Sequence, residues 1–202
     1  TEAQAAGYNV ATSGTTGIVL SPSATDIVAL SGSFNTVNLT GFTGTLSSTG
    51  RTIFVYLTVP ASGCTFTAGT NVTTFAGTGT ETITTNGRTL DFPVTINGAG
   101  GTFVLADALT LGSTRTFTLT AGALNLNNLT LSAATFSSSG AVARSVAFGT
   151  TGQITLVGNN ATIVDLTTMT NFSYTGTPKI VNTYNGVTGT RTFNIGGTAG
   201  AN

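Results

Sequence analysis

The chain of 202 residues has no histidine and no tryptophan, and only one cysteine and one methionine. Without histidine there is no Ser-His-Asp or Cys-His activation, no imidazole acid–base step and no imidazole metal ligand. The lone Cys64 forms no intrachain disulfide, so the staple of small secreted domains is missing. Its neighbours Thr65 and Phe66 mark it as a small buried residue, not a reactive thiol. A single lysine, Lys179, leaves little room for Schiff-base chemistry. Charge is scarce as well: six acidic and six basic residues make up 6% of the chain, against roughly 25% in an ordinary soluble domain. A net charge of zero offers no electrostatic footprint for nucleic acid or an anionic membrane surface. No apolar run reaches the ~18–20 residues that cross a bilayer, and the N-terminus lacks the layout of a signal peptide. The chain begins at Thr1 without methionine, which reads as a processed product or an excerpt.

What is present is threonine, serine, asparagine and 27 glycines beside an apolar content of 40%. That apolar share is enough for a core, and low hydropathy with high net charge, the mark of disorder, is absent. The branched β-carbon of threonine favours extended backbone, while glycine and asparagine permit tight turns. This is an all-β composition.

Short strand candidates recur with turn signals every few residues. Alternation is clear in Phe117-Thr118-Leu119, Leu124-Asn125-Leu126 and Leu129-Thr130-Leu131, so one side of each is buried. No stretch of a dozen residues keeps helical apolar spacing. Two architectures compete. A β-sandwich or jelly roll needs strands joined by hairpins; Asn86-Gly87, Asn97-Gly98 and Asn185-Gly186 are the two-residue turns that would make them. A parallel β-solenoid needs runs of about three apolar positions, each coil stepping up ~4.8 Å onto the next. Most apolar runs here are that short, so the solenoid is the expected fold. The four prolines (Pro22, Pro60, Pro93, Pro178) fall at plausible strand edges and no hinge divides the chain. One elongated domain over residues 15–195 is expected, with a loosely ordered segment at 1–14 and a flexible tail at 196–202.

Five of the six basic residues begin one pattern, Arg, then Thr or Ser, then apolar-x-apolar: Arg51, Arg88, Arg115, Arg144 and Arg191. Their separations of 37, 27, 29 and 47 residues total 140, so a unit of 28 fits five times if coils carry insertions and one copy has lost its arginine. Such self-similarity marks stacked repeats. An arginine at the same corner of each coil would bond turn carbonyls, with stacked threonines forming a polar ladder. Direct stacking of arginines is repulsive, so solvent exposure or pairing with Asp91, Asp107 or Asp165 is expected. Binding of carboxylates or glycans is the functional alternative for these side chains.

Among the acids, Glu81 with Asp91, or Asp91 with Asp107, are the pairs that would serve glycoside cleavage, which asks only for two carboxyls ~5–10 Å apart. Turn capping and arginine pairing are the simpler roles. The glycine-rich Asn97-Gly98-Ala99-Gly100-Gly101 lacks the lysine and helix of a phosphate loop. No catalytic residue, cofactor or metal site is expected. Tyr174 and Tyr184 flank Lys179 near the C-terminal end and mark it as a contact surface, since tyrosine offers amphipathic area at modest entropy cost.

From Gly100 the text runs Gly100-Gly101-Thr102-Phe103-Val104-Leu105-Ala106-Asp107-Ala108-Leu109-Thr110-Leu111, then Gly112-Ser113-Thr114-Arg115-Thr116-Phe117-Thr118-Leu119. It continues through Gly122-Ala123-Leu124-Asn125-Leu126-Asn127-Asn128-Leu129-Thr130-Leu131 to Arg144-Ser145-Val146-Ala147-Phe148-Gly149. This stretch, residues 100–196, resembles the repeat-rich tail fibre and tail-associated proteins of tailed bacteriophages, particularly those of marine and cyanobacterial hosts. The resemblance implies a non-enzymatic structural protein on the virion surface, a fibre or spike segment that assembles as a homotrimer with other virion proteins and touches a host-surface glycan. A capsid or sheath component, a self-assembling extracellular filament and a polysaccharide depolymerase are the alternatives.

Overall fold

A computed structural model describes residues 9–10, 17–19, 27–186 and 189–196; the expected loose segment 1–14 and the tail 196–202 fall almost wholly outside them. The described chain is a parallel β-solenoid of about seven turns without a helix. Three faces form each coil. The first carries Ile27–Leu30, Thr45–Leu46, Thr65–Phe66, Thr89–Leu90, Leu109–Leu111, Thr130–Ala133, Gln153–Leu156 and Ile180–Asn182. The second and third belong to one twelve-stranded sheet because several strands bend through the corner between them. Within Val94–Leu105, for instance, residues 94–96 pair with Thr73–Phe75 and residues 102–105 with Thr80–Thr84. Every strand pair among the described residues is parallel.

The parallel pairing excludes the hairpins that Asn-Gly turns suggested. Asn86 and Gly87 do adopt the left-handed conformation, at φ 50° and 74°, but they turn the chain from the third face to the first. Asn97-Gly98 lies inside the corner of Val94–Leu105. The asparagine turns have a different use: their side-chain amides donate to a carbonyl of the coil beneath, Asn86 to Val59, Asn127 to Leu105 and Asn171 to Ala141. Threonine rungs form as expected, with Thr45 to Thr65 at 2.7 Å and Thr135 to Thr116 at 2.8 Å.

The core is a set of stacked inward rows. Phe34, Ile53, Phe75 and Ile96 align in register on the second face, and so do Phe117, Phe136 and Val164. The Phe117 and Phe136 rings lie parallel, 6.1 Å apart. Each such ring, withdrawn from water, contributes about 1.5–3 kcal/mol. Cys64 is buried in this core, as its neighbours suggested. Glycines are required where coils touch at the corner between the second and third faces. A β-carbon at Gly98 would fall 2.0 Å from the Gly77 carbonyl oxygen, and one at Gly122 would fall 2.3 Å from that of Gly98.

Coil length varies from 18 residues, Ile27 to Thr45, to 30, Thr162 to Thr192. A length of 28 occurs in one described coil, Phe136 to Val164 and Arg144 to Phe172, and is not the common unit. The arginine pattern therefore drifts around the coil: Arg51, Arg115 and Arg191 precede or begin strands of the second face, Arg88 one of the first, and Arg144 one of the third. The pattern marks strand starts, but not equivalent corners.

Candidate functional site

The five arginines divide into two kinds. Arg51 and Arg144 are buried, against the expected solvent exposure or acid pairing. Each occupies an inward position of its strand, in line with Ile53 and Val146. Arg51 donates to the carbonyls of Ser47 and Thr49 at 2.9 and 3.1 Å and lies 5.1 Å over the Phe92 ring; burial lowers its pKa to about 10. Arg144 donates to the carbonyls of Ser138, Val142 and Thr170 and to the Ser138 hydroxyl, at 2.8–2.9 Å, and also to the Thr168 carbonyl. Its guanidinium lies 5.5 Å over Phe172, and desolvation pulls its pKa down. A fork of five N–H donors suits a ring of turn carbonyls.

Arg88 and Arg115 both line the one place among the described residues where the first face is interrupted. Thr65–Phe66 ends a four-stranded sheet and Thr89–Leu90 begins a separate five-stranded one. No main-chain ladder joins them; instead Arg88 donates to the Cys64 carbonyl across the break, and the Gly69 amide donates to the Asp91 carbonyl at 3.0 Å. The interruption leaves an open cleft of about 720 Å³ lined by Thr65, Phe66, Arg88, Thr89, Asp91, Ser113, Thr114 and Arg115, among others. Arg115 Nε bonds Asp91 Oδ1 at 2.7 Å, the sole ion pair among the described residues.

Of the three acids expected to pair with arginine, only Asp91 does. Asp107 caps a turn, accepting from the amides of Thr85 and Gly87 and from the Thr85 hydroxyl. Asp165 accepts from the amide and hydroxyl of Thr167, which lower its pKa. Asp91 alone of Glu81, Asp91 and Asp107 lines the cleft. Glu81 is 1% exposed, with no hydrogen-bond partner at either carboxyl oxygen. It occupies a core position in register with Phe103. A β-carbon at Gly77 would fall 1.9 Å from Glu81 Oε1 and 2.0 Å from the Phe54 carbonyl oxygen, so two acceptors crowd one spot. Burial pushes the Glu81 pKa up to about 7, partly offset by the nearby Gly77 amide. The proposed carboxylate pairs therefore do not share a cleft.

Tyr174, Lys179 and Tyr184 lie on the last described coil. Tyr174, 55% exposed, continues the inward row of Leu124 and Val146 on the third face. Lys179 is exposed at the start of Ile180–Asn182, its carbonyl accepting from the Ile154 amide. Tyr184 is covered by Arg191, whose guanidinium lies 4.5 Å over the ring and donates to Asn159 and Asn160. No hydrogen bond or ring contact among the described residues joins the three. Phe193 and Ile195, 62% exposed in the second case, continue inward rows of the second face beside them.

Sequence reasoning missed Thr65, Thr89, Ser113 and Thr114 as cleft residues. Their signal was the two turn-arginine segments 86–89 and 112–115, whose adjacency depends on a coil of about 21 residues, Thr89 to Thr110, that the arginine spacing did not show. No protein-family model matches the chain, and no curated protein or solved structure matches it either.

Proposed function

We propose that the chain is a structural attachment element of a virion surface, a segment of a tail fibre or spike that works as a homotrimer and carries no catalytic centre. The observation that carries the reading is the three-faced stack, held by one unbroken twelve-stranded sheet over two of its faces, whose outward positions are mostly threonine, serine and asparagine with little charge. Every coil is braced by the next, so the body transmits force without a hinge. Neutral hydroxyl and amide faces lie against copies of themselves without like-charge repulsion. The tail-fibre resemblance of residues 100–196 supports the same reading.

Sedimentation of the purified chain, together with a denaturing gel run without boiling, tests it. A trimer that resists detergent is the expected result; a monomer at all concentrations sinks the proposal. The exposed last members of three inward rows, Tyr174 on the third face and Phe193 and Ile195 on the second, favour end-to-end assembly as a second reading, and electron microscopy separates the two: short spikes for the first, filaments or lattices for the second.

A further inference from the structure

We propose that the cleft at the interrupted first face binds an acidic saccharide, holding its carboxylate between Arg88 and Arg115 and its hydroxyls on Asp91 and the neighbouring side chains. The inference rests on the attachment reading and supplies it with a ligand class.

The charge balance of the cleft comes first. Two guanidiniums and one carboxylate line the cleft, an excess of one positive charge in a chain whose net charge is zero. Arg115 gives only Nε to Asp91, so both its terminal nitrogens are without a hydrogen-bond partner. Arg88 gives only one terminal nitrogen, to the Cys64 carbonyl, so its Nε and other terminal nitrogen are likewise unpartnered. Arg51 and Arg144, by contrast, spend their donors on turn carbonyls. The two free terminal nitrogens of Arg115 form a fork that matches a planar carboxylate in bidentate fashion, and Arg88 adds single N–H donors beside it.

The rest of the lining selects among anions. Asp91 Oδ2 accepts no hydrogen bond, and the Asp91 side chain is 39% exposed. A phosphomonoester dianion has no donor for that oxygen and hydrogen phosphate has a single one, and both are repelled by it, whereas a sugar ring presents several neutral hydroxyls that donate to it. The hydroxyls of Thr89, Ser113 and Thr114 are unengaged, and half-buried Phe66 offers an apolar surface to the C–H face of a pyranose. A carboxylate, several hydroxyls and an apolar face together describe a uronate or similar acidic sugar. The trough is open at the surface, which admits one residue of a longer chain.

Isothermal titration with tri-galacturonate, tri-glucuronate and a sialic acid trisaccharide tests the site, using methyl-esterified tri-galacturonate and inorganic phosphate as comparators. At least one acidic trisaccharide binds, the methyl ester binds about tenfold more weakly, and Arg115→Gln and Arg88→Gln each weaken binding by about tenfold. Should Arg115→Gln fail to fold through loss of its Asp91 pair, Arg88→Gln, which gives up one part-buried hydrogen bond to the Cys64 carbonyl, carries the test, with circular dichroism checking that the variant is folded. The proposal is overturned if no acidic trisaccharide binds the folded chain, if the ester binds as well as the acid, if phosphate displaces the sugar at equal concentration, or if Arg88→Gln binds unchanged. Sugar binding by a monomer would keep the site and discard the trimeric fibre; a trimer that binds no acidic sugar would do the reverse.

Discussion

Arg144 and Glu81 are both buried on the third face, and the molecule treats the two charges in opposite ways. Around Arg144 the loops before and after it turn the carbonyls of Ser138, Val142, Thr168 and Thr170 inward, so the guanidinium is solvated by the main chain. Around Glu81 the neighbours are the Phe54 carbonyl, Gly77 and the Phe103 side chain, and the one nearby donor, the Gly77 amide, completes no hydrogen bond to it. The difference follows from what a solenoid has to spare. Main-chain amides are consumed by the ladders between coils, while a carbonyl has two lone pairs and accepts a second bond. A buried cation with a forked donor set is therefore accommodated; a buried carboxylate is pressed toward its neutral form.

The largest effect that tests this contrast is removal of the cation. Arg144→Met is expected to lower unfolding free energy by about 3–5 kcal/mol, because several inward carbonyls lose their donor at once. Arg144→Lys, with a compact ammonium in place of the fork, recovers about half of that. Urea denaturation measures both, and a loss below about 1 kcal/mol in the methionine variant would mean the carbonyls are solvated some other way.

At the Glu81 end, Gly77→Ala brings a methyl group into the spot already shared by Glu81 Oε1 and the Phe54 carbonyl. A loss of about 2–3 kcal/mol is expected, since main chain as well as side chain must shift. An alanine variant as stable as the parent would show that the coils are not in contact there.

The titration of Glu81 comes next in size. Its value in the folded chain, about 7, lies above the ordinary 4.5, so the folded state binds the proton more tightly. Stability is then greatest below about pH 4.5, falls as pH rises toward 7 and is level above it. A decline on the order of 1–2 kcal/mol between pH 5 and pH 8 is expected, less than the full shift implies because a loosened coil admits water. Glu81→Gln flattens the profile and is the more stable chain at pH 8. Identical profiles for the two chains would refute the buried neutral acid.

The smallest effect belongs to a surface arginine. Arg191 covers the Tyr184 ring and bonds Asn159 and Asn160, all at the exposed end, and Arg191→Ala is expected to change stability by less than about 1 kcal/mol. A larger loss in thermal denaturation would place Arg191 with Arg144 and erase the distinction between the two kinds.

Much of the fold was legible in the chain. Phe117-Thr118-Leu119 and Leu124-Asn125-Leu126 show their alternation directly; the first lies in Thr116–Asn125, the second runs one residue past its end, and the expected sides are buried. Asn86-Gly87 was rightly a turn and wrongly a hairpin, because a left-handed pair of residues fits a solenoid corner as well as a two-residue loop. The cleft was not legible. Arg88 and Arg115 are 27 positions apart, and the fit to a unit of 28 set them on equivalent corners of successive coils. Insertions instead shift Arg88 to the first face and Arg115 to the second, on either side of one corner.

By its own residues the chain determined an all-β body of short strands and excluded imidazole chemistry, since these follow from local backbone preference and from residue types that are present or missing. Which arginines are buried, which carboxyl loses its partners and where one face opens into a cleft were decided only by the stacking of coils. The physical reason is phase: coils of 18 to 30 residues carry one local pattern to different corners, and neighbours one coil apart are set by the sum of all insertions between them.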